Sequence, residues 1–151
     1  MIDALAVRRV VTLDDERGRS RAIADGPAPD LRADPFQPGA MCSLIWATDS
    51  TPATGAAQPA RVGDDLSPPR GGSVCRIVTI PPDAGRSPQM RHARTLDFTL
   101  VLEGSITLIL DTGEVELNAG DTLVQRATRH AMSNRSGRPC VLAISSHDAR
   151  A

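Results

Sequence analysis

The stretch Arg91–Asn134, RHARTLDFTLVLEGSITLILDTGEVELNAGDTLVQRATRHAMSN, decides how the rest of the chain is read. Two extended runs open it, Thr95–Glu103 and Ser105–Leu110. In the second, Ile106, Leu108 and Leu110 alternate with Ser105, Thr107 and Ile109, the period of two that sends one set of side chains to a buried sheet face. Asp111-Thr112-Gly113 supplies a reversal, because Asp and Gly accept the backbone angles of a tight turn. Val115 and Leu117 then alternate with Glu114 and Glu116, so the returning strand has a wet face. Asn118-Ala119-Gly120-Asp121 turns the chain again into a strand at Thr122–Gln125. Hairpin following hairpin at this spacing predicts an all-β sandwich or barrel.

Upstream, Ser73–Ile80 is a strand with Val74, Arg76, Val78 and Ile80 on one face, ended by Pro81-Pro82. Asp83–Gln89 is a loop. Met41–Ala47, apolar and short, reads as a buried strand, and Ala6–Leu13 and Ser20–Ala24 as two earlier ones. Gly26–Ala40 has too many prolines for a helix or a central strand. Thr48–Gly72 carries four prolines and four glycines with little periodicity. It either folds over a barrel mouth or is mobile, since structureless connections of this length are usually functional or disordered. Downstream, Arg135–Pro139 turns into a last strand, Cys140–Ser145, and His147–Ala151 is a polar tail with His147 exposed. The expected organisation is one structural domain: strands and a long loop over 1–72, a barrel core over 73–146, and the tail over 147–151.

Composition narrows the function. Seventeen basic against eighteen acidic residues give a net charge of −1 and no electrostatic reason to expect nucleic acid or a membrane surface as partner. Phe36, Trp46 and Phe98 are the whole aromatic complement, too few to build a base-stacking platform. No apolar run is long enough to span a bilayer, and the opening MIDALAVRRVVTL lacks a secretory pattern, so a cytoplasmic protein is expected. Cys42, Cys75 and Cys140 are far apart and odd in number, which predicts buried thiols rather than a zinc site or disulfides.

The central stretch resembles the cupin family, whose first motif is G-x5-H-x-H-x(3,4)-E-x6-G and whose second ends in P-x-G-x2-H-x3-N. Six residues separate Asp97 from Gly104, matching the motif's acid and last glycine, and His130 and Asn134 match H-x3-N. Gln125 and Ala127 occupy the places of the proline and glycine. Nearest in wording is a subgroup of short, single-domain members reading roughly H-x-T-x-T-x-D-Y and Q-R-G-T-x-H-A-W-x-N, in which Arg91 stands for the leading histidine and Met132 for the tryptophan. The likeness is close over about the last two-fifths of the chain. It implies a double-stranded β-helix (jelly-roll) barrel with extra N-terminal strands, a pocket inside, and, as the early strands of relatives pair with a partner's sheet, a homodimer.

Many cupins hold a metal through three histidines and a carboxylate. Here one register puts Arg91 and Ala93 at the first two histidine positions, and the other keeps His92. Two site readings therefore stand open. In one, His92, Asp97 and His130 hold a divalent metal (Fe, Mn, Zn or Ni), a two-histidine, one-carboxylate set that suits non-haem iron. In the other there is no cofactor, and Arg91 pairs with Asp97 inside the barrel beside a hydrogen-bonded His130.

A carboxylate and an imidazole in a partly dry pocket are also the parts of a general acid–base pair, and an arginine fork suits a substrate carboxylate or enolate. The expected function is a small-molecule enzyme, of natural-product metabolism among other settings, running dehydration, decarboxylation or isomerisation with Asp97, His130 and Arg91. Gln125, Trp46, Asn134 and Met132 would line the ligand. Alternatives are a metal-dependent oxygenase or isomerase and a non-catalytic small-molecule binder.

Overall fold

The computed structural model describes residues 2–149. After one 3-10 turn at Ala4–Ala6 come β1 (Arg8–Asp14), β2 (Ser20–Pro27), β3 (Asp30–Ala33), β4 (Met41–Thr48), β5 (Ser73–Ile80), β6 (Arg91–His92), β7 (Thr95–Glu103), β8 (Ser105–Leu110), β9 (Gly113–Asn118), β10 (Thr122–Arg126), β11 (Arg129–Ser133) and β12 (Cys140–Asp148). β1 and β2 form a hairpin of their own. The rest make a six-stranded sheet in the order β10-β7-β12-β5-β4-β3 and a four-stranded sheet in the order β6-β11-β8-β9. These two sheets wrap a shared core as a jelly roll without closing into a continuous hydrogen-bonded ring.

Alternation sets the inner face. In β5, Val74, Arg76, Val78 and Ile80 are buried while their neighbours are only partly so. Ile106 and Leu108 of β8, Val101 of β7 and Leu142 and Ile144 of β12 join them, together with Cys42 and Leu44 of β4. Cys42 and Cys140 are buried free thiols, and burial pushes both up to about 11. On the outside of the large sheet Phe98, Leu100 and Val124 remain exposed. Val115 is also exposed, so in β9 only Leu117 faces the core.

The Pro-rich 26–40 segment holds no helix and no central strand, as expected; the short strand it does contain, β3, is proline-free and lies at the sheet's edge. Two expectations, both at the C-terminal end, need correction. The final strand runs on through Asp148 because it pairs with both β5 and β7 along its length. His147 is consequently a half-buried strand residue rather than tail: its Nε2 lies 3.0 Å from the Ser145 hydroxyl and its ring 5.1 Å from Phe98. Residues 150 and 151, the end of the expected tail, lie outside the described residues.

Residues 49–72 contain no regular element, yet they are tied to the barrel. The Ala60 amide donates to the Ala47 carbonyl at 2.9 Å, and Arg32 donates to the Gly63 carbonyl at 2.8 Å. Leu66 is 1% exposed and joins the core from this loop. A close approach fixes the loop's end: a Cβ on Gly72 would lie 1.9 Å from the Thr48 carbonyl oxygen, so only glycine fits.

Ala127, between β10 and β11, has φ +54, a left-handed conformation costing an L-residue roughly 1–2 kcal/mol. It stands where the resembled motif has glycine. Ala127→Gly is expected to raise stability by about 0.5–1 kcal/mol, read as an increase of roughly 1–4 °C in melting temperature by circular dichroism.

Candidate active site

One cavity of about 240 Å³ opens between the two sheets. Asp97, Thr99, Gln125, His130, Arg76 and Ser146 bring polar groups to it; Met132, Val78, Ile80 and Ile144 bring apolar ones. Leu66, Ser67 and Pro68 of the long loop form part of its wall.

Register explains which groups face in, because residues opposite one another in an antiparallel pair project to the same side. Asp97 sits between Gln125 of β10 and Ser146 of β12. Gln125 is 3% exposed and fully engaged. Its Oε1 accepts from the Thr128 amide and, at 2.6 Å, from the Thr128 hydroxyl, and its Nε2 donates to Asp97 Oδ2 over a long 3.4 Å. Asp97 Oδ1 is buried with no hydrogen-bond partner among the described residues. Asp97 as a whole is only partly buried, and its carboxylate is short of hydrogen-bond donors.

His130 is 8% exposed and lies opposite Arg91. Its Nδ1 is 3.0 Å from the Thr128 carbonyl oxygen, which can only accept, so Nδ1 carries a proton and Nε2 is left for the cavity. His92, one residue earlier than the expected inward position requires, lies opposite Arg129. Both are exposed, and Arg129 pairs outward with Asp111 at 3.4 Å.

The expected ligand set is therefore not assembled. His92 has the parity opposite to Arg91 and His130, and among the described residues no three His, Cys, Asp or Glu side chains gather to hold a metal ion. Asp97 and His130 alone do not fit the two-histidine, one-carboxylate pattern. The Arg91–Asp97 ion pair is not formed either. Arg91 instead lies over Phe36, its guanidinium carbon 3.6 Å from the ring centroid. Asp97 and His130 also do not come from neighbouring strands: β7 and β11 belong to different sheets and face each other across the cavity.

Two of the expected ligand-lining residues lie outside this cavity. Trp46 is displaced by a bulge between Leu44 and Trp46. Leu44 opposes Arg76, but Trp46 opposes Cys75, so the indole turns to the outer face, where Arg9 lies 5.8 Å from it. Asn134 is 1% exposed and structural. Its Nδ2 donates to the carbonyls of Ile80 (2.9 Å) and Arg138 (2.8 Å), and its Oδ1 accepts from the Ser136 hydroxyl at 2.7 Å, which leaves nothing for a ligand. Gln125 and Met132 do line the cavity.

Sequence reasoning missed Asp34, Phe36 and Arg76 as site residues. Arg76 Nε donates to Asp34 Oδ2 at 3.3 Å, with the side chains 6% and 1% exposed. The signal was present: an arginine in phase with Val74, Val78 and Ile80 is buried, and a buried guanidinium needs an anion. Nothing in the sequence pointed to Asp34 as that anion.

The family model described as "Cupin domain" matches residues 76–146. "Phomopsin biosynthesis cluster protein C'" of Diaporthe leptostromiformis is 46% identical over 67 residues, covering 44% of this chain and 34% of that protein. "Cupin-domain-containing oxidoreductase virC" of Hypocrea virens is 36% identical over 103 residues, covering 65% of this chain and 52% of the relative. The chain thus spans about a third to a half of the length of these curated relatives. Among solved structures, a cupin-superfamily sugar phosphate isomerase from Silicibacter pomeroyi superposes with a TM-score of 0.51 at 20% identity, covering 78% of this chain and 70% of that one.

Proposed function

The chain belongs to the cupin superfamily, and from that premise we propose that it is an enzyme of natural-product or other small-molecule metabolism that moves protons on a small organic substrate inside the barrel. The observation that carries this reading is the under-satisfied Asp97 carboxylate facing the same cavity as His130. Asp97 removes a proton from carbon next to a carbonyl. His130, once protonated, donates from Nε2 to the carbonyl oxygen while its Nδ1–H stays on Thr128. Because that Nδ1 hydrogen bond holds in both charge states, the imidazole changes protonation without turning. Return of the proton from Asp97 to a different carbon gives isomerisation, and expulsion of a β-hydroxyl as water, protonated by Asp97 while the enol proton goes back to His130, gives dehydration; in a decarboxylation CO2 leaves in place of the proton and His130 protonates the enolate oxygen.

An oxidoreductase is the second reading, favoured by the name of the Hypocrea virens relative. Solvent-exchange kinetics separate the two. In D₂O, the protein is expected to accelerate deuterium incorporation beside the carbonyl of small 2-oxo or 3-oxo acids, followed by proton NMR, and to keep doing so in EDTA. Exchange abolished by chelation, or substrate-dependent oxygen uptake without exchange, would remove the acid–base reading. Tight binding without either would mark a non-catalytic binder.

A further inference from the structure

The connection from β3 to β4 places a charged group at the cavity wall that the proton chemistry does not use. Asp34 is the anchor. Its Oδ2 takes the Arg76 Nε, and its Oδ1 accepts from the Phe36 amide at 2.8 Å, which fixes the phenyl ring beside the cavity. Arg76 is held again by the Ser146 hydroxyl, 3.3 Å from Nη1, and its guanidinium carbon lies 5.3 Å from the Phe36 centroid. Arg91 lies closer, at 3.6 Å from the same centroid, yet its guanidinium has no hydrogen-bond or ion-pair partner among the described residues. Arg91 as a residue is exposed on β6, so its desolvation is only partial; that partial burial is still the largest influence on it and lowers its pKa, with Asp34 acting in the opposite direction, Arg76 in the same one, and Asp97 opposing it more weakly.

A guanidinium fixed against an aromatic ring, partly desolvated and with its donor fork free, is preorganised for a planar oxyanion. The charge count points the same way. Asp34 neutralises Arg76, so Arg91, Arg94 and Asp97 are left along the cavity wall, an excess of one cation. A monoanion held on Arg91 balances that excess, whereas a neutral molecule leaves it uncompensated. The space, about 240 Å³, is that of about eight waters at ~30 Å³ each.

We propose that Arg91, held by Phe36, is the carboxylate receptor of this cavity, and that the substrate is a small monocarboxylate whose reacting carbon lies between Asp97 and His130. The substrate class rests on the acid–base reading of the same site, while the receptor does not. Phe36, itself placed by Asp34, is a positioning residue: it acts on substrate only through Arg91.

The test is calorimetric titration of the full chain with 2-oxobutanoate and with its neutral amide. The acid is expected to bind about 10–100-fold more tightly than the amide. Arg91→Met, which keeps an apolar contact with Phe36, is expected to erase that preference, and Arg91→Lys to restore only part of it, since a lysine has charge but no fork. Phe36→Leu should weaken the acid several-fold and leave the amide unchanged, a selectivity that general loss of structure would not produce. Equal binding of acid and amide, no binding of either, or an Arg91→Met variant with the preference intact overturns the proposal. Asp97→Asn keeps the two readings apart: retained acid preference with exchange lost supports both, and retained preference with exchange unchanged leaves the receptor standing while removing the proton chemistry.

Discussion

Replacing Asp97 by asparagine is expected to slow deuterium exchange and turnover by about 10²–10⁴-fold, the usual loss when a positioned general base is removed. The same substitution is expected to leave the melting temperature unchanged or higher. Both expectations follow from one feature. Asp97 Oδ1 is buried without a partner, and Oδ2 has only the long 3.4 Å contact from Gln125. Leaving a buried polar group unsatisfied costs roughly 1–3 kcal/mol, more if it is charged, and asparagine removes the charge at constant shape. Its amide oxygen can still accept from Gln125. Steady-state assays paired with thermal denaturation check the result. Loss of activity together with a large loss of stability would show Asp97 to be a structural acid. A small kinetic effect in a stable variant would move the base elsewhere in the cavity.

His130→Gln gives the complementary view. Glutamine can keep a donor near the Thr128 carbonyl but has no ring nitrogen to pass a proton, so exchange should fall without a matching loss of fold.

How far the sequence carried this reading depends on what each residue's neighbours could encode. The hairpins from Thr95 to Gln125 were legible because period-two alternation and Gly or Asp turns are local signals, and the structure places strands at Thr95–Glu103, Ser105–Leu110 and Ser73–Ile80 with the expected bounds. The same alternation placed Arg76 on a buried face. It failed where register slips. The bulge before Trp46 reverses that side chain's direction, and no feature of MCSLIWAT announces it. For His92 the register that puts Arg91 and Ala93 at the histidine positions, not the one that keeps a histidine, agrees with the observed pairing. Arg91 was legible as an inward cation but not as a partner of Phe36, because Phe36 reaches it from more than fifty residues earlier in the chain. Asp34 and Arg76, separated by 42 residues, meet only through the pairing of β3 with β4 and β4 with β5.

That pair carries the largest stability effect expected in the molecule. Breaking a buried ion pair from one side strands a charge, at a cost of about 3–5 kcal/mol. Asp34→Ala should reach the upper part of that range. It leaves the Arg76 guanidinium, 6% exposed, with only the Ser146 hydroxyl, and it also removes the acceptor of the Phe36 amide. For a chain of this size each kcal/mol corresponds to roughly 2–4 °C, so a fall of about 6–20 °C is expected in thermal denaturation. Arg76→Met alone should cost a similar amount, because it buries Asp34, 1% exposed, without its counter-charge. The double variant Asp34→Leu with Arg76→Met is expected to recover most of the loss, since removing both charges also removes both desolvation penalties. Recovered stability need not bring recovered function: without Asp34 the Phe36 ring loses its anchor, and with it the seat of Arg91. A double variant that regains its melting temperature but not its preference for 2-oxobutanoate over the amide would show that the buried charges are kept to shape the cavity. A single Asp34→Ala variant that melts like the parent would show that Arg76 finds another partner and that the pair does not hold this end of the barrel.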